Sequence, residues 1–465
     1  MIRTVGAVLG VVLLAAFAVP ILRRPGRTIL PLFAASLPIA SVVRLPDPLP
    51  SPFDTLSSLL GGLAILGGAI HVLATRRFRL PTWPMALWCL FFGWIFLTVF
   101  WAVDTKRAFE SLNVAIPLLV LLFVVSCMKF DDTDLAVWRV AIIGGGIVVG
   151  LYAAALLLRG AALPSHGASF RFSLATTPQD TDPNILAASL LLPLVLSAEC
   201  LILGGSRWWA PKTWRLIGAA GVLFVLIAML LTGSRGGAAA AAAALIYTVL
   251  LCRRVPEGAR VIRRAARTVG GAVIGLVVVG AVLLLAGVKV PGLGRLHTVE
   301  RLTGTTSSGR AEIWKTGLVA CTLHCATGSG LGTFEFAYNE SFALTSTAHN
   351  AGFNRPAHDI YLSLAVETGF LGLTLFLLAV LGEWAHFGRR ALFQLSPGFR
   401  ATIAGVLLAN IFLSAIWFKY FWLPFVFGRV IEGAAASLQR DSGLEPVDQR
   451  SGDRLPMLTR PAKTR

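Results

Sequence analysis

Three basic side chains stand where long apolar stretches meet polar sequence, and each has the chemistry to handle an anion or a proton. Arg235 follows Thr232-Gly233-Ser234 and opens the small-residue run RGGAAAAAAALI. A helix starting there leaves unpaired N–H groups beside a guanidinium, and both attract negative charge. Arg310 follows Ser307-Ser308-Gly309 and opens a stretch that carries Ile313, Trp314 and Leu318. Its guanidinium offers paired donors to two phosphate oxygens, and Lys315 adds a second cation about a turn and a half on. His358 precedes Asp359 where the chain turns apolar again at Ile360. An imidazole titrates near neutrality and can take a proton from a hydroxyl. Plainer readings stand beside these: interfacial arginines snorkel toward water, loop cations are simply solvated, and a lone histidine is commonly structural. His349, in TAHNAG, is the rival base, whereas His297 and His324 adjoin no returning helix.

The elements that must position these groups are membrane helices. Hydrophobic residues make up 56% of the 465 residues and charged residues 14%. Mean hydropathy is +0.75, which excludes a soluble globular chain. Apolar stretches of the roughly 20 residues needed to cross hydrocarbon recur along the whole length. An open sheet would leave backbone groups unpaired in lipid, so the expected fold is an all-α, polytopic transmembrane bundle. About twelve or thirteen spans are predicted, near 4–20, 29–43, 55–75, 83–103, 112–127, 135–158, 183–204, 214–232, 236–252, 269–288, 360–382, 401–418 and 421–437. Val5–Val19 reads as a retained anchor, for want of a small-residue cleavage site before Arg23.

The formal net charge of +18 sits mostly in short loops between spans, which is an orientation signal and not a nucleic-acid footprint. Loops with Arg23/Arg24/Arg27, Arg76/Arg77/Arg79, Arg207/Lys212, Arg253–Arg267 and Arg389/Arg390/Arg400 fall on one side, the cytoplasmic one, if spans alternate. The acidic Lys129–Asp134 loop is an exception on that side. Four parts follow: a transmembrane bundle over 1–288, a large external loop over 289–358, transmembrane helices over 359–437 and a disordered tail over 438–465. Within the external loop, helices are expected from Arg310 to about Leu323 and from Thr333 to about Phe342, separated by Gly328, Gly330 and Gly332. Asp182 is expected to cap a helix with Pro183 at its first position.

Other chemistries find little footing. GSGLG at 328–332 follows no strand and opens no βαβ unit, so it is not a nucleotide loop. No zinc-ligand cluster and no serine or cysteine nucleophile elbow is present, and no metal or cofactor is expected. Cys321 and Cys325 are four apart on one predicted helix, a poor disulfide geometry, so no disulfide is expected. Arg429 and Glu432, three apart in the last span, are expected to be interfacial or paired within the bundle.

Five segments, in order, resemble the O-antigen ligase superfamily of bacterial membrane glycosyltransferases. FWAVDTKRAFESL (Phe100–Leu112) looks like the family's external Trp/Ser-Asp segment, and DPNILAASLLLPL (Asp182–Leu194) like its Asp-x-Asn span start. TGSRGG (Thr232–Gly237) is similar to its Ser-Arg-Gly turn. SGRAEIWKTGLVACTLHCATGSGLGTF (Ser308–Phe334) follows its Gly-Arg…Trp…His-Pro…Gly-x-Gly-x-Gly pattern, with Cys325 in place of proline. HDIYLSLAVETGFLG (His358–Gly372) follows its histidine-to-glycine ending, with Asp359 in place of Asn or Ser, a carboxylate expected to favour the imidazolium.

The resemblance implies an inverting, metal-independent enzyme of the bacterial inner membrane whose site faces the periplasm. It implies glycan transfer from an undecaprenyl-diphosphate carrier to an acceptor hydroxyl, on lipid A-core or a growing polysaccharide. Partners would be the lipid-linked glycan donor, a glycan or lipid acceptor and membrane lipids, with no nucleic acid. Arg235 and Arg310 would hold the diphosphate and His358 would activate the acceptor, with Lys315, Asp182, Asn184 and Tyr361 contacting substrate. A polymerase of the same superfamily is the near alternative. A polysaccharide or lipid transporter is the alternative from another class, although neither an internal repeat nor a buried charge chain is apparent in the sequence.

Overall fold

A computed structural model describes residues 23–39, 55–76, 78–159, 172, 174, 182–205, 209–263, 310–345 and 352–441. These fold almost entirely into helices, named here in chain order. They are α1 (Ile29–Ser36), α2 (Leu56–Thr75), α3 (Trp83–Leu97), α4 (Thr105–Cys127), α5 (Asp132–Leu158), α6 (Pro183–Ser189), α7 (Leu191–Leu203), α8 (Pro211–Thr232), α9 (Arg235–Cys252), α10 (Arg310–His324), α11 (Phe334–Phe342), α12 (Ile360–His386), α13 (Arg390–Leu395), α14 (Gly398–Ala409) and α15 (Lys419–Asp441). Among the described residues, nine helical segments are long and apolar enough to cross a membrane, with α6 and α7 forming one of them. The chain is a multi-pass membrane protein.

Local sequence explains six of these helix starts through a side-chain cap. Thr55, Asp104, Asp131, Asp182, Ser234 and Asp359 each accept a backbone N–H of the first turn through the side chain, which satisfies donors that a helix leaves orphaned. Pro183 occupies the first position of α6, as expected. One predicted span, that near 401–418, is shorter than a bilayer among the described residues. The described part of the stretch near 29–43 forms the eight residues of α1 and a 3₁₀ turn to Ile39, with 40–43 outside the described residues, and that near 401–418 yields Gly398–Phe412. The α-helix of the second run ends at Ala409 with Asn410 as its C-cap, a stop that hydropathy alone does not mark. The expected spans near 4–20 and 269–288, and the tail beyond 441, lie outside the described residues.

Small residues let the helices close on one another, as expected where packing rather than water drives association. Gly150 of α5 lies so close to α8 that a Cβ would come within 2.1 Å of the Phe224 carbonyl oxygen, and Gly218 of α8 meets Ser197 of α7 in the same manner. Trp88, Phe91, Phe92, Phe376, Phe421, Trp422 and Phe425 interlock α3, α12 and α15 through edge-on, tilted and stacked ring contacts. Leu216, Leu223 and Leu230 stay exposed at seven-residue intervals along α8, an apolar stripe suited to lipid.

One end of the bundle carries buried charges, which corrects the expectation of no buried charge chain. Arg429 of α15 pairs with Glu383 of α12 and, at 3.0 Å, with Glu432. Glu432 also receives Arg79 at 3.2 Å and Thr82 at 2.9 Å, and His386 Nε2 lies 2.8 Å from it. Arg139 meets Glu199 at 2.8 Å, and Glu199 also accepts from Ser396 and the Gly398 amide. Arg429 and Glu432 thus take the second of the two arrangements expected for them, pairing within the bundle, whereas the other partners are too far apart in sequence to announce themselves. Here too Arg27 pairs with Asp131 and, at 2.6 Å, with Asp134, which accounts for the acidic loop among basic ones.

Candidate functional site

The opposite end of the bundle holds the residues singled out for chemistry. The expected loop helices form as α10 and α11. Ile313, Thr316, Gly317 and Ala320 make the buried face of α10, and Gly317 packs against Leu362 of α12.

Arg310, in the first turn of α10, lies with its guanidinium carbon 6.0 Å from the centre of the Phe412 ring, a cation–π contact. One turn on, Trp314 stacks on that ring at 6.4 Å and donates its indole N–H to the Ala357 carbonyl at 3.0 Å. Helix α10 is thereby tied to the residue before His358. Two residues past Phe412, Ser414 receives the Asp359 amide at 3.1 Å. On its other side Phe412 supports the Ser-Arg-Gly turn: a Cβ on Gly236 would stand 3.1 Å from that ring. Ser234 caps α9 through the Gly237 amide at 3.0 Å, and Gly237 packs against Ala187 of α6. The start of α6 is thus brought beside the start of α9, with Arg235 exposed at the turn.

Asp182 interacts electrostatically with both Arg310 and His358. Its Oδ1 accepts the Asn184 amide at 2.9 Å and the Asn184 side chain at 2.6 Å. Asn184 therefore fixes the carboxylate. His358 adopts φ 48°, the left-handed region that costs a side-chain-bearing residue energy and so points to an imposed orientation. Burial pulls its imidazole below the ordinary range; the Arg310 charge pushes the same way and Asp182 opposes it. The expectation of an imidazolium stabilised by Asp359 is therefore reversed. Asp359 spends its carboxylate on the Leu362 amide at 2.8 Å as the cap of α12, and burial raises its own pKa despite the Leu362 and Tyr361 amides. A neutral imidazole is the form that accepts a proton. Burial likewise lowers the Arg310 pKa, against the pull of Asp182, yet a guanidinium stays charged at any physiological pH.

Two predicted residues are engaged elsewhere. Tyr361 donates its hydroxyl to the Leu407 carbonyl at 3.2 Å, tying α12 to α14. Lys315 is exposed on α10, five positions from Arg310 and so about 140° round the helix. His324 lies 3.1 Å from Glu340, bridging α10 and α11; His297 and His349 lie outside the described residues. Phe412 and Arg355 were not anticipated. Arg355 interacts electrostatically with His358, and its only advance signal is a basic residue three positions before the histidine.

The glycine loop has a mechanical role. Gly369, at φ 71°, breaks the ladder of α12 and exposes backbone carbonyls. The Ser329 amide takes the Val366 carbonyl at 2.8 Å and the Gly330 amide takes that of Glu367 at 2.9 Å, while the Phe370 amide reaches back to Cys325 at 2.8 Å. Glu367 then accepts the Gly332 amide at 2.8 Å and Ser363 at 2.9 Å. The approach is close enough to demand glycine: a Cβ on Gly330, at φ 109°, would meet the Ala102 Cα at 2.7 Å. Just before this loop, Cys321 and Cys325 are joined in a disulfide, contrary to expectation. Helix α10 ends at His324 and the chain tightens, so the two Cα atoms stand 4.7 Å apart, inside the range a disulfide spans.

Among the described residues no three His, Cys, Asp or Glu side chains gather as a metal site. The arrangement instead offers a guanidinium on an aromatic ring, a fixed carboxylate and a neutral imidazole, at the end of a polytopic helical bundle. Residues 220–377 match the family described as O-antigen ligase. That match supports the O-antigen ligase superfamily and, more broadly, a membrane glycosyltransferase-like enzyme. It takes in the Ser-Arg-Gly turn, α10, the glycine loop and His358, whereas Asp182 precedes it. No curated protein matches the chain.

Proposed function

We propose that this protein transfers a glycan from an undecaprenyl-diphosphate carrier to an acceptor hydroxyl at the periplasmic face of a bacterial inner membrane. The observation that carries the reading is that Arg310, which lies over Phe412, interacts electrostatically with both Asp182 and His358, while Phe412 also packs against Gly236 in the turn that bears Arg235. Arg310 and Arg235 bind the diphosphate leaving group and stabilise the charge it gains. His358 takes the proton of the acceptor hydroxyl as its oxygen attacks the anomeric carbon. The carbon–oxygen bond to the diphosphate breaks, and direct displacement inverts the configuration. The diphosphate already carries the activation, so positioning and charge stabilisation supply most of the catalysis.

Orientation draws on two supports. The Cys321–Cys325 disulfide, at the end of α10 far from Arg310, fits an oxidising compartment, and the basic loops lie at the opposite end of the bundle, as the positive-inside rule requires of the cytoplasmic side. Whether the acceptor is lipid A-core or another polysaccharide repeat is read from the product of a deletion strain. Accumulated lipid-linked polymer means ligase, and accumulated single repeats mean polymerase. Substitution Arg310→Ala in a correctly inserted protein should abolish surface glycan; undiminished glycan would defeat the reading. The buried charges around Arg429 favour a second reading as a lipid or glycan transporter. Flipping by purified protein in vesicles, without transfer, would establish it.

A further inference from the structure

Arg400, in the first turn of α14, commits only the flat face of its guanidinium. Its guanidinium carbon lies 4.6 Å from the centre of the Trp384 ring, and Trp384, near the end of α12, lies parallel to Tyr247 of α9 with ring centres 5.6 Å apart. A cation–π contact of this kind leaves the N–H groups around the guanidinium edge free to donate. Arg400 is half-buried, and it forms no ion pair and no side-chain hydrogen bond with a described residue; of its nitrogens only Nε is sealed from water without a partner. A Cβ on Gly388 would stand 3.7 Å from its Nη1, so the guanidinium sits at the carbonyl end of α12. The helix dipole favours a cation there without satisfying its donors. Gly388 is followed by Arg389 and Arg390, both exposed and neither ion-paired with a described residue. The carboxylates on adjoining elements do not answer this charge, since Glu199 is held by Arg139 and Glu383 by Arg429. Apolar surface continues from the same place: Leu377, Leu381 and Trp384 share one face of α12, and the two leucines are 38% and 61% exposed.

We propose that Arg400, together with Arg389 and Arg390, binds the headgroup phosphate of an anionic phospholipid whose acyl chains lie along Leu377 and Leu381 of α12. Basic pockets between membrane helices suit such headgroups, and Trp384 and Tyr247 are the aromatic types that settle at headgroup depth. A free phosphate would meet the same donors but gain nothing from the leucines. The site lies at the end of the bundle away from Arg310, so it is independent of the glycan-transfer reading.

The test titrates the purified full-length protein in detergent with dioleoylphosphatidylglycerol, dioleoylphosphatidylcholine or inorganic phosphate and follows the unfolding temperature, which a ligand of the folded state raises. Phosphatidylglycerol should stabilise the wild type at concentrations where neither of the other two does. Arg400→Gln, and the double variant Arg389→Gln with Arg390→Gln, should each weaken its apparent affinity, by about fivefold for every cation removed. Each shift is taken from that variant's own lipid-free value, so a loss of the Trp384 contact in Arg400→Gln does not mask the result, and the exposed pair can be changed without disturbing packing. Equal stabilisation by the two lipids, or an unchanged response to phosphatidylglycerol in either variant, overturns the proposal. Inorganic phosphate that stabilises as well as phosphatidylglycerol, and loses its effect in the same variants, overturns it too, by making the site one for free phosphate.

Discussion

The two ends of this bundle use the same side chains for opposite purposes. At the end with the basic loops, Arg429, Arg79 and Arg139 each meet a carboxylate within ion-pair distance, and Glu199, Glu383 and Glu432 accept further hydrogen bonds from Ser396, Trp88 and Thr82. Their charge is cancelled where it stands, and they cross-link α3 with α12 and α15, and α5 with α7. At the other end Arg310 rests on an aromatic ring, and among the described residues no carboxylate comes within ion-pair distance of it. Asp182 is near enough to be felt but is held back by Asn184. Buried charges that complete one another hold a fold together, and those kept apart are available to a ligand.

Activity and stability should therefore separate along the bundle. The largest loss is expected for Arg310→Ala, on the order of a thousandfold in transfer rate, with an unfolding temperature close to wild type; a collapse of stability instead would make Arg310 structural. His358→Ala should reduce turnover by roughly a hundredfold or more. In the parent protein the rate should rise with pH through a pKa below the ordinary histidine value near 6.5, as the imidazole loses its proton, and then stay level through neutrality. A rate that instead falls as pH climbs through 6 to 8 would mean that the protonated form acts.

At the other end, Arg429→Ala leaves Glu383 and Glu432 without their main partner and should cost about 3–5 kcal/mol in stability, while the molecules that stay folded transfer glycan normally. Loss of turnover in that folded fraction would blur the contrast and favour the transporter reading. Gly330→Ala sits between the extremes. It forces the glycine loop off Ala102 and should lower both stability and transfer, read by thermal unfolding and product formation together. Replacing Cys321 and Cys325 by Ser should have the smallest effect, about 2 kcal/mol or less, because so short a loop is closed. A larger effect on transfer would make the disulfide a determinant of how α10 presents Arg310.

Much of this was legible in the sequence, and unevenly. Asp182, Ser234 and Asp359 could be placed at helix starts because a cap bonds amides two or three residues away. Arg310 and His358 stood out because polar residues at the edge of apolar runs are conspicuous. Phe412 did not, being one aromatic among many; its part as the platform under Arg310 depends on how α14 lies against α9. The disulfide was missed because an uninterrupted helix was assumed, although the chain bends after His324. Pairing of Arg429 with Glu432 could be foreseen from their spacing, whereas the other buried pairs were missed because Arg429 and Glu383 lie 46 residues apart and Arg139 and Glu199 lie 60 apart. Hydropathy did not reveal that the helix of Gly398–Phe412 stays short, because it registers how apolar a stretch is and not where its ladder stops.

The sequence by itself determined a helical, multi-pass membrane protein and the positions at which its helices begin, since hydropathy, caps and helix-breaking residues act over a few neighbouring positions. Only the tertiary structure decided which charges cancel and which stay open. That outcome depends on the rotation and depth of each helix, set jointly by all its packing partners, so residues as alike as Arg429 and Arg310 end in opposite roles.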